Sequence, residues 1–200
     1  ANFAADVTFA DGADIITASA GTSNFRAGVN AGNSIQSGGN FNVVVGDEAG
    51  TAITTGDSNV LIGYQSGDAI TTAEQNVAVG RGTLTTNILS DANVAIGNGA
   101  LFTHNQATST DSYNVAIGDN SGAAVTTGIR NILVGALAGD ALTDADFNVA
   151  VGHAALSVDT LGSKSVAVGN GALGNQNFTT ATDVFNTAVG TNAGTSVTTG

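Results

Sequence analysis

The chain has 200 residues, with 28 glycines and no proline, cysteine or tryptophan, and its sixteen acidic residues against four basic ones give a net charge of −12. This charge disfavours binding to nucleic-acid phosphates, and the lack of cysteine excludes disulfides and thiolate metal sites. Two tyrosines and eight phenylalanines are too few for a large globular core. No apolar run of about 18 residues is present, so no membrane insertion is expected.

The segment 1–23 precedes the repeats that fill the rest of the chain. Alternating apolar residues on both sides of Asp11-Gly12 predict two short strands joined by a tight turn. We expect residues 1–23 to form an N-terminal β segment that caps the first coil or joins it to an upstream shaft. No basic and apolar leader is visible, and the start without Met and the end within a repeat indicate a segment of a longer protein.

Residues 24–200 consist of copies of a short motif that is best preserved as Asn148-Val149-Ala150-Val151-Gly152. Its closing glycine recurs with a period of 17, apart from one interval of 18 and two of 21. These glycines are Gly28, Gly46, Gly63, Gly80, Gly97, Gly118, Gly135, Gly152, Gly169 and Gly190. The period predicts an all-β fold, a parallel β-solenoid or β-roll of about ten 17-residue coils with two lengthened to 21 residues.

Within the motif, β-branched residues alternate with small or polar ones, which predicts a half-buried strand. In eight successive coils the second position holds Val43, Val60, Val77, Val94, Val115, Ile132, Val149 and Val166. The fourth position holds Val45, Ile62, Val79, Ile96, Ile117, Val134, Val151 and Val168. We expect both columns to face a core, either within one chain or shared between chains. The third position is mostly alanine, small enough for another chain to pack closely against it.

A second apolar stretch follows in each coil, such as residues 52–56 with the sequence Ala-Ile-Thr-Thr-Gly. Its glycine and polar neighbours are typical of a turn, so we expect two strands per coil. Replacement of Asp159, which lies in this part of its coil, by asparagine is expected to have little effect.

The first position of the motif is an asparagine in nearly every coil, with Ser165 as the exception. Stacked in register, these side chains are expected to form a structural amide ladder in which each carboxamide bonds to the next. The predicted ladder residues are Asn42, Asn59, Asn76, Asn93, Asn114, Asn131, Asn148 and Asn186.

A longer period of 72 separates Gly46, Gly118 and Gly190, so four coils form a higher-order unit. Four positions after the repeat glycine, the order glycine, glycine, leucine, leucine is kept along the chain. Coils spaced by about 4.8 Å would give a rod about 48 Å long. Each coil offers few apolar side chains, so we expect a homotrimer whose chains share a core.

The two lengthened coils supply the candidate contact loops, because insertions in solenoids collect on one face. The candidate residues are Phe102, His104, Asn105, Gln106, Asn175, Gln176, Asn177 and Phe178. Aromatic and amide side chains suit a carbohydrate receptor. The two insertions also share length and several residues, so the alternative that they brace one chain on the next stays open.

No catalytic constellation is apparent. The closest acidic pairs, Asp47 with Glu48 and Asp144 with Asp146, lie at expected corners, where solvated charge is ordinary. The lone histidine His153 and the candidate loop residue His104 occupy unrelated positions, and no calcium β-roll signature is present. We therefore expect no enzyme activity, no cofactor and no metal.

The units at residues 76–80 and 93–97, Asn-Val-Ala-Val-Gly and Asn-Val-Ala-Ile-Gly, resemble the head repeats of trimeric autotransporter adhesins, which are left-handed parallel β-rolls. The longer form at residues 186–200 resembles the repeat arrays of tail-fibre and other appendage proteins of marine bacteriophages more closely. The period of 17 departs from the shorter repeat that is usual in autotransporter heads.

These resemblances imply a structural and adhesive fibre segment of a virion appendage, located in the virion. Its expected partners are itself as a homotrimer, other virion or fibre proteins and a host-surface carbohydrate. The alternative is the head of a bacterial trimeric adhesin at the cell surface, and a third interpretation is a glycan-cleaving β-helix enzyme.

Overall fold

The computed structural model describes residues 19–199, so most of the N-terminal segment predicted over residues 1–23 lies outside the described residues. Residues 19–199 form strands and turns without a helix, and they confirm the predicted parallel β-solenoid. The strands are β1 (Phe25–Ala27), β2 (Val43–Val45), β3 (Val60–Ile62), β4 (Val77–Val79), β5 (Ser90–Asp91), β6 (Val94–Ile96), β7 (Thr110–Asp111), β8 (Val115–Ile117), β9 (Ile132–Val134), β10 (Val149–Val151), β11 (Gly162–Ser163), β12 (Val166–Val168), β13 (Thr182–Asp183) and β14 (Thr187–Val189).

One strand from each coil joins a ten-stranded parallel sheet that runs along the solenoid. Its order is β1-β2-β3-β4-β6-β8-β9-β10-β12-β14. Equivalent motif positions pair in register throughout, and the pairing of Val94 with Val115 shows that even a lengthened coil keeps this register. The extra residues are accommodated outside the sheet, as insertions in solenoids usually are.

The second stretch of each coil is not generally a strand, so the prediction of two strands per coil is wrong for most coils. The N–H groups of Thr54 and Gly56 both donate to the carbonyl oxygen of Thr71, at 2.9 and 3.1 Å. The chain bends around a single acceptor there and does not continue as a ladder. Within residues 19–199, short second ladders form only between each lengthened coil and the coil before it, where β5 pairs with β7 and β11 pairs with β13.

The core lies on the opposite side of the strand from the one that we predicted. The third motif position points inward, and Val44, Leu61 and Ala78 are fully buried there. The second and fourth positions point outward, with half-buried or exposed side chains. The prediction that the Val and Ile columns face an intrachain core is therefore wrong. The alanine column is covered by its own chain, because alternate residues of a strand share a side and alanine shares that side with the buried ladder asparagines.

The four-coil period corresponds in the core to a change in which part of the coil, the strand or the corner, supplies the large side chain. In β3 the buried Leu61 lies against Gly67, where an added Cβ would lie 2.9 Å from a Leu61 methyl carbon. In β4 the strand contributes the small Ala78, and the corner contributes the buried Leu84. Each arrangement fills the narrow interior with one large side chain, which close packing requires.

The glycine that closes each strand is required by the stacking of the coils. Gly118 has φ of +140°, and a Cβ built on it would lie 2.5 Å from the carbonyl oxygen of Gly135 in the next coil. The same approach recurs at the repeat glycines above and below. A side chain at this corner would therefore push successive coils apart.

Candidate functional site

The outward side of the ten-stranded sheet carries an apolar strip, interrupted by Thr187 in β14, which we call the outer face. It consists of the side chains at the second and fourth motif positions of each strand. Along it, Ile62, Ile96, Ile117 and Ile132 are 36 to 43% exposed. β-Branched residues favour strands, but strand propensity alone does not require apolar residues on a solvated side.

A parallel sheet with one apolar side open to solvent is unusual. Parallel sheets occur mostly with both faces covered, and their strands then read as continuous apolar runs. Here the inner face is covered by the chain's own coils, whereas residues 19–199 provide nothing that covers the outer face. The outer face is thus an apolar feature for which the described chain has no packing partner.

Beside the outer face, the residue before each ladder position forms a second exposed column. In the later coils this column alternates aromatic and cationic residues. Its members are Tyr113, Arg130, Phe147, Lys164 and Phe185. The Arg130 guanidinium carbon lies 5.4 Å from the Phe147 ring centroid, and the Lys164 Nζ lies 5.2 Å from that of Phe185. This column was not predicted from the sequence, although it can be read there as the residue before each ladder position.

The structure places the ladder asparagines inside the solenoid, in contact with one another. The Oδ1 of Asn42 accepts hydrogen bonds from the backbone N–H of Asn59 at 2.9 Å and from its Nδ2 at 3.1 Å. The Nδ2 of Asn59 also donates to the carbonyl oxygen of Ala73, at 2.9 Å. Each carboxamide thereby satisfies backbone groups of its own coil and the next one, which burial demands.

The ladder changes its chemistry where serine replaces asparagine. The backbone N–H of Ser165 still donates to the Oδ1 of Asn148, at 2.9 Å. Above it, the side chain of Gln176 spans the gap, because its Nε2 donates to the Ser165 hydroxyl and its Oε1 accepts from the Nδ2 of Asn186. Asn186 therefore bonds to a glutamine side chain of the preceding coil.

Gln176 belongs to a further buried column, which we call the inner column and which consists of the seventh residue after each repeat glycine. Its members from the second coil onward are the buried residues Ile53, Ile70, Asn87, His104, Val125, Leu142, Asp159 and Gln176. Two polar residues thus follow two apolar ones in each four-coil unit. The polar pairs coincide with the coils that carry leucine at the corner.

Two of the predicted contact residues, His104 and Gln176, are 0% exposed and are therefore not surface residues. Asp159 is also 0% exposed, which contradicts the expectation that its replacement would have little effect. Its carboxylate accepts hydrogen bonds from Gln176 Nε2 at 2.6 Å and from the N–H groups of Gly162 and Phe178. This burial was not predicted from the sequence, because the inner column becomes apparent only when the seventh residues after the repeat glycines are aligned.

His104 lacks the partners that stabilise Asp159. Neither ring nitrogen has a partner with good hydrogen-bond geometry, and burial lowers the pKa of His104 from 6.5 to about 4, which the nearby Thr126 backbone offsets only in part. The imidazole is therefore neutral near pH 7, and its role there is to fill the core between Asn87 and Val125 in the inner column.

The remaining predicted contact residues lie at or near the surface, and most of them bond to a neighbouring coil of the same chain. Asn105 Oδ1 accepts from the backbone of Ile88, and Gln106 Nε2 donates to the carbonyl oxygen of Thr127. Asn175 Nδ2 donates to the carbonyl oxygen of Thr195, and Asn177 Oδ1 accepts from the hydroxyl of Thr160. The N–H of Phe178 donates to Asp159. Phe102 is 44% exposed, and its ring faces a cleft that is described below.

The acidic pairs considered for catalysis bind neighbouring coils. Asp47 Oδ1 accepts from the N–H of Val29, and Asp144 Oδ1 accepts from the hydroxyl of Thr127. Asp146 Oδ1 accepts from the N–H of Ile129, and burial raises the pKa of Asp146 above its ordinary value. Within residues 19–199, no three His, Cys, Asp or Glu side chains form a group that could hold a metal ion.

No protein-family model matches the chain, and neither the curated proteins nor the solved structures include a significant match to it. Residues 19–199 also contain no helix with the length and apolar character needed to cross a membrane.

Proposed function

We propose that this chain is a rod-forming segment of a fibrous surface appendage and that it assembles as a homotrimer through its outer face. The observation that carries the proposal is the apolar outer side of the parallel sheet, which runs along the ten strands apart from Thr187 and which no layer from residues 19–199 covers. Burial of this face against identical faces would give the sheet the two covered sides that parallel sheets normally have.

The dimensions of the outer face suit association along its whole length. Ten rungs spaced by about 4.8 Å give a strip about 48 Å long, and two outward residues per strand make it about 10 Å wide. The resulting area of roughly 500 Å² is in the range of patches that mark interaction sites. Three chains placed around a common axis would each direct this strip towards the centre.

The repeat also supports a mechanical role. Each coil contacts only its neighbours, and every rung adds backbone hydrogen bonds and one ladder asparagine or its substitute. The net charge of −12 opposes lateral association of finished rods. Assignment to a bacteriophage tail fibre rests on the resemblance of residues 186–200 to such repeats. The head of a bacterial trimeric adhesin is the second candidate, which the five-residue motif favours.

Light scattering coupled to size-exclusion chromatography tests the assembly. The native chain is expected to give the mass of three chains, or about 58 kDa from 19.4 kDa each. The double variant Ile96→Lys/Ile117→Lys, which places two charges on the outer face, is expected to be a monomer. The control variant Thr55→Lys/Thr72→Lys adds the same charges at exposed sites away from that face and is expected to stay trimeric. A native monomer, or a double variant that remains trimeric, would refute the proposal.

A further inference from the structure

A cleft of about 310 Å³ opens at the corner that follows β4 and β6, outside the columns of the outer face. Arg81 and Asn98 follow the repeat glycines of these coils, and the ring of Phe102 forms part of the wall. This volume is at the lower end of the range for small-molecule sites.

The cleft exists because two successive coils lack a side chain at the same corner position. That position is the second residue after the repeat glycine, and it holds Gly82 and Gly99 between Gln65 and Asn120. The backbone there does not require glycine, since Gln65 and Asn120 adopt φ of 54° and 52° at the same corner. Three rungs, or about 14 Å, therefore separate the Cα positions of Gln65 and Asn120, and the Asn120 Oδ1 reaches over Gly99, where it lies 2.5 Å from the position of an added Cβ.

Phe102 is a second departure from the repeat at the same place. Other coils carry small or polar residues at this position, such as Thr51, Asp68 and Asp140, so the fold does not require an aromatic ring. The ring is 44% exposed and faces the space that the two glycines leave open. Two independent departures from the repeat thus converge on one cleft.

The polar groups around Phe102 are arranged by two carboxylates. Gln65 Nε2 donates to Glu48, and the Nδ2 groups of Asn98 and Asn120 donate to Asp119, at 2.8 to 3.1 Å. Each of these NH₂ groups has one hydrogen engaged in this way, and no partner for the three amide oxygens is found within residues 19–199, so the oxygens remain as acceptors. Arg81 supplies donors and forms no ion pair within the described part of the chain.

We infer that this cleft binds a neutral sugar residue of a surface glycan. Sugar hydroxyls both donate and accept, so they fit amide oxygens opposite a guanidinium group, while the C–H side of a sugar ring can pack on Phe102. An acidic sugar fits less well, because the carboxylates of Glu48 and Asp119 bond to side chains that line the cleft and the chain carries a charge of −12. The inference rests on the adhesive role of the proposed rod and names the place of contact.

Saturation-transfer NMR of the full chain with maltose, cellobiose, lactose and mannobiose tests the inference, with sialyllactose as the acidic comparison. At least one neutral disaccharide is expected to bind. The variant Gly82→Asn should abolish that binding, because asparagine is tolerated at positive φ and fills the cleft. Phe102→Ala should weaken binding at least about tenfold, by loss of ring contact.

The matched control is Ala154→Asn, because Ala154 occupies the same corner position one four-coil unit later, with φ of 54°. Its binding should equal that of the native chain. Binding of none of the neutral sugars, preference for sialyllactose, or unchanged binding by Gly82→Asn would overturn the inference. Light scattering on the same samples separates the two proposals. A trimer that binds no neutral sugar would refute only the sugar-binding cleft, and a monomer that binds sugar would refute only the proposed trimeric assembly.

Discussion

Removal of one ladder side chain is the sharpest test of what holds the coils together. The variant Asn131→Ala keeps the backbone N–H that bonds to Asn114, but it removes the carboxamide. In the native chain that carboxamide accepts from the N–H of Asn148 at 2.9 Å and donates to the carbonyl oxygen of Ala145 at 2.7 Å. Both backbone groups would be left buried without these partners.

The magnitude follows from these two groups. A buried polar group without a partner costs about 1 to 3 kcal/mol, so Asn131→Ala should lower the free energy of unfolding by roughly 2 to 6 kcal/mol. The matched control is Asn170→Ala, since the Asn170 side chain is exposed and makes only a 3.5 Å contact with His153. Its effect should stay within about 0.5 kcal/mol.

Urea unfolding followed by circular dichroism measures both variants, at one protein concentration because assembly would add to the apparent stability. Equal midpoints for Asn131→Ala and Asn170→Ala would refute the view that the ladder stabilises the solenoid. A lower m value, the slope of unfolding free energy against urea concentration, without a shift in midpoint would instead show that single coils unfold independently, as a linear repeat array allows.

Three further perturbations test other parts of the structure. Gly118→Ala should prevent stacking, because its Cβ would lie 2.5 Å from the next coil. Gly82→Ala, whose Cβ would have its nearest neighbour at 3.5 Å, should lower the free energy of unfolding by only about 1 to 2 kcal/mol. Thermal melts of the two variants compare these effects. Because burial lowers the pKa of His104 to about 4, protonation favours unfolding, so stability should fall by about 3 kcal/mol as the pH drops from 6.5 to 4. His104→Leu should remove that part of the pH dependence, and parallel pH profiles of both proteins check it. Deletion of residues 114–185 should leave a shorter rod that still melts cooperatively. Deletion of residues 114–130 should destabilise the rod, because it brings unlike core layers together. Equal melting temperatures of the two deletion variants would contradict this expectation.

The solenoid could be predicted from the sequence because the strongest pattern in the sequence is a motif that recurs at a nearly constant interval. Glycine must recur wherever stacked corners lie too close together to leave room for a Cβ atom. The regular spacing of Gly46, Gly63 and Gly80 reflects this requirement. The same reasoning identified the asparagine positions, since only stacked coils bring such residues together. The four-coil period was also visible, but its physical basis, the exchange between Leu61 with Gly67 and Ala78 with Leu84, required the packed core.

The candidate contact residues were less accessible to sequence reasoning. His104 and Gln176 lie in lengthened coils, yet both fall in the inner column and are buried. An insertion displaces only the residues that follow it, and the inner column precedes the inserted residues in each coil. The cleft beside Phe102 was not predicted at all, because it depends on which side chains are missing from two adjacent coils.

By itself, the sequence determined the repeat length, the parallel stacking and the positions that must be glycine, because these follow from spacing along the chain. It did not determine which side of the strand is buried. Val and Ile have the greater affinity for an apolar interior, but the interior of one coil is too narrow for two β-branched columns and must also hold the ladder carboxamides. Only the tertiary structure decided that alanine and asparagine face inward, because only there do the ladder asparagines find hydrogen-bond partners in both neighbouring coils.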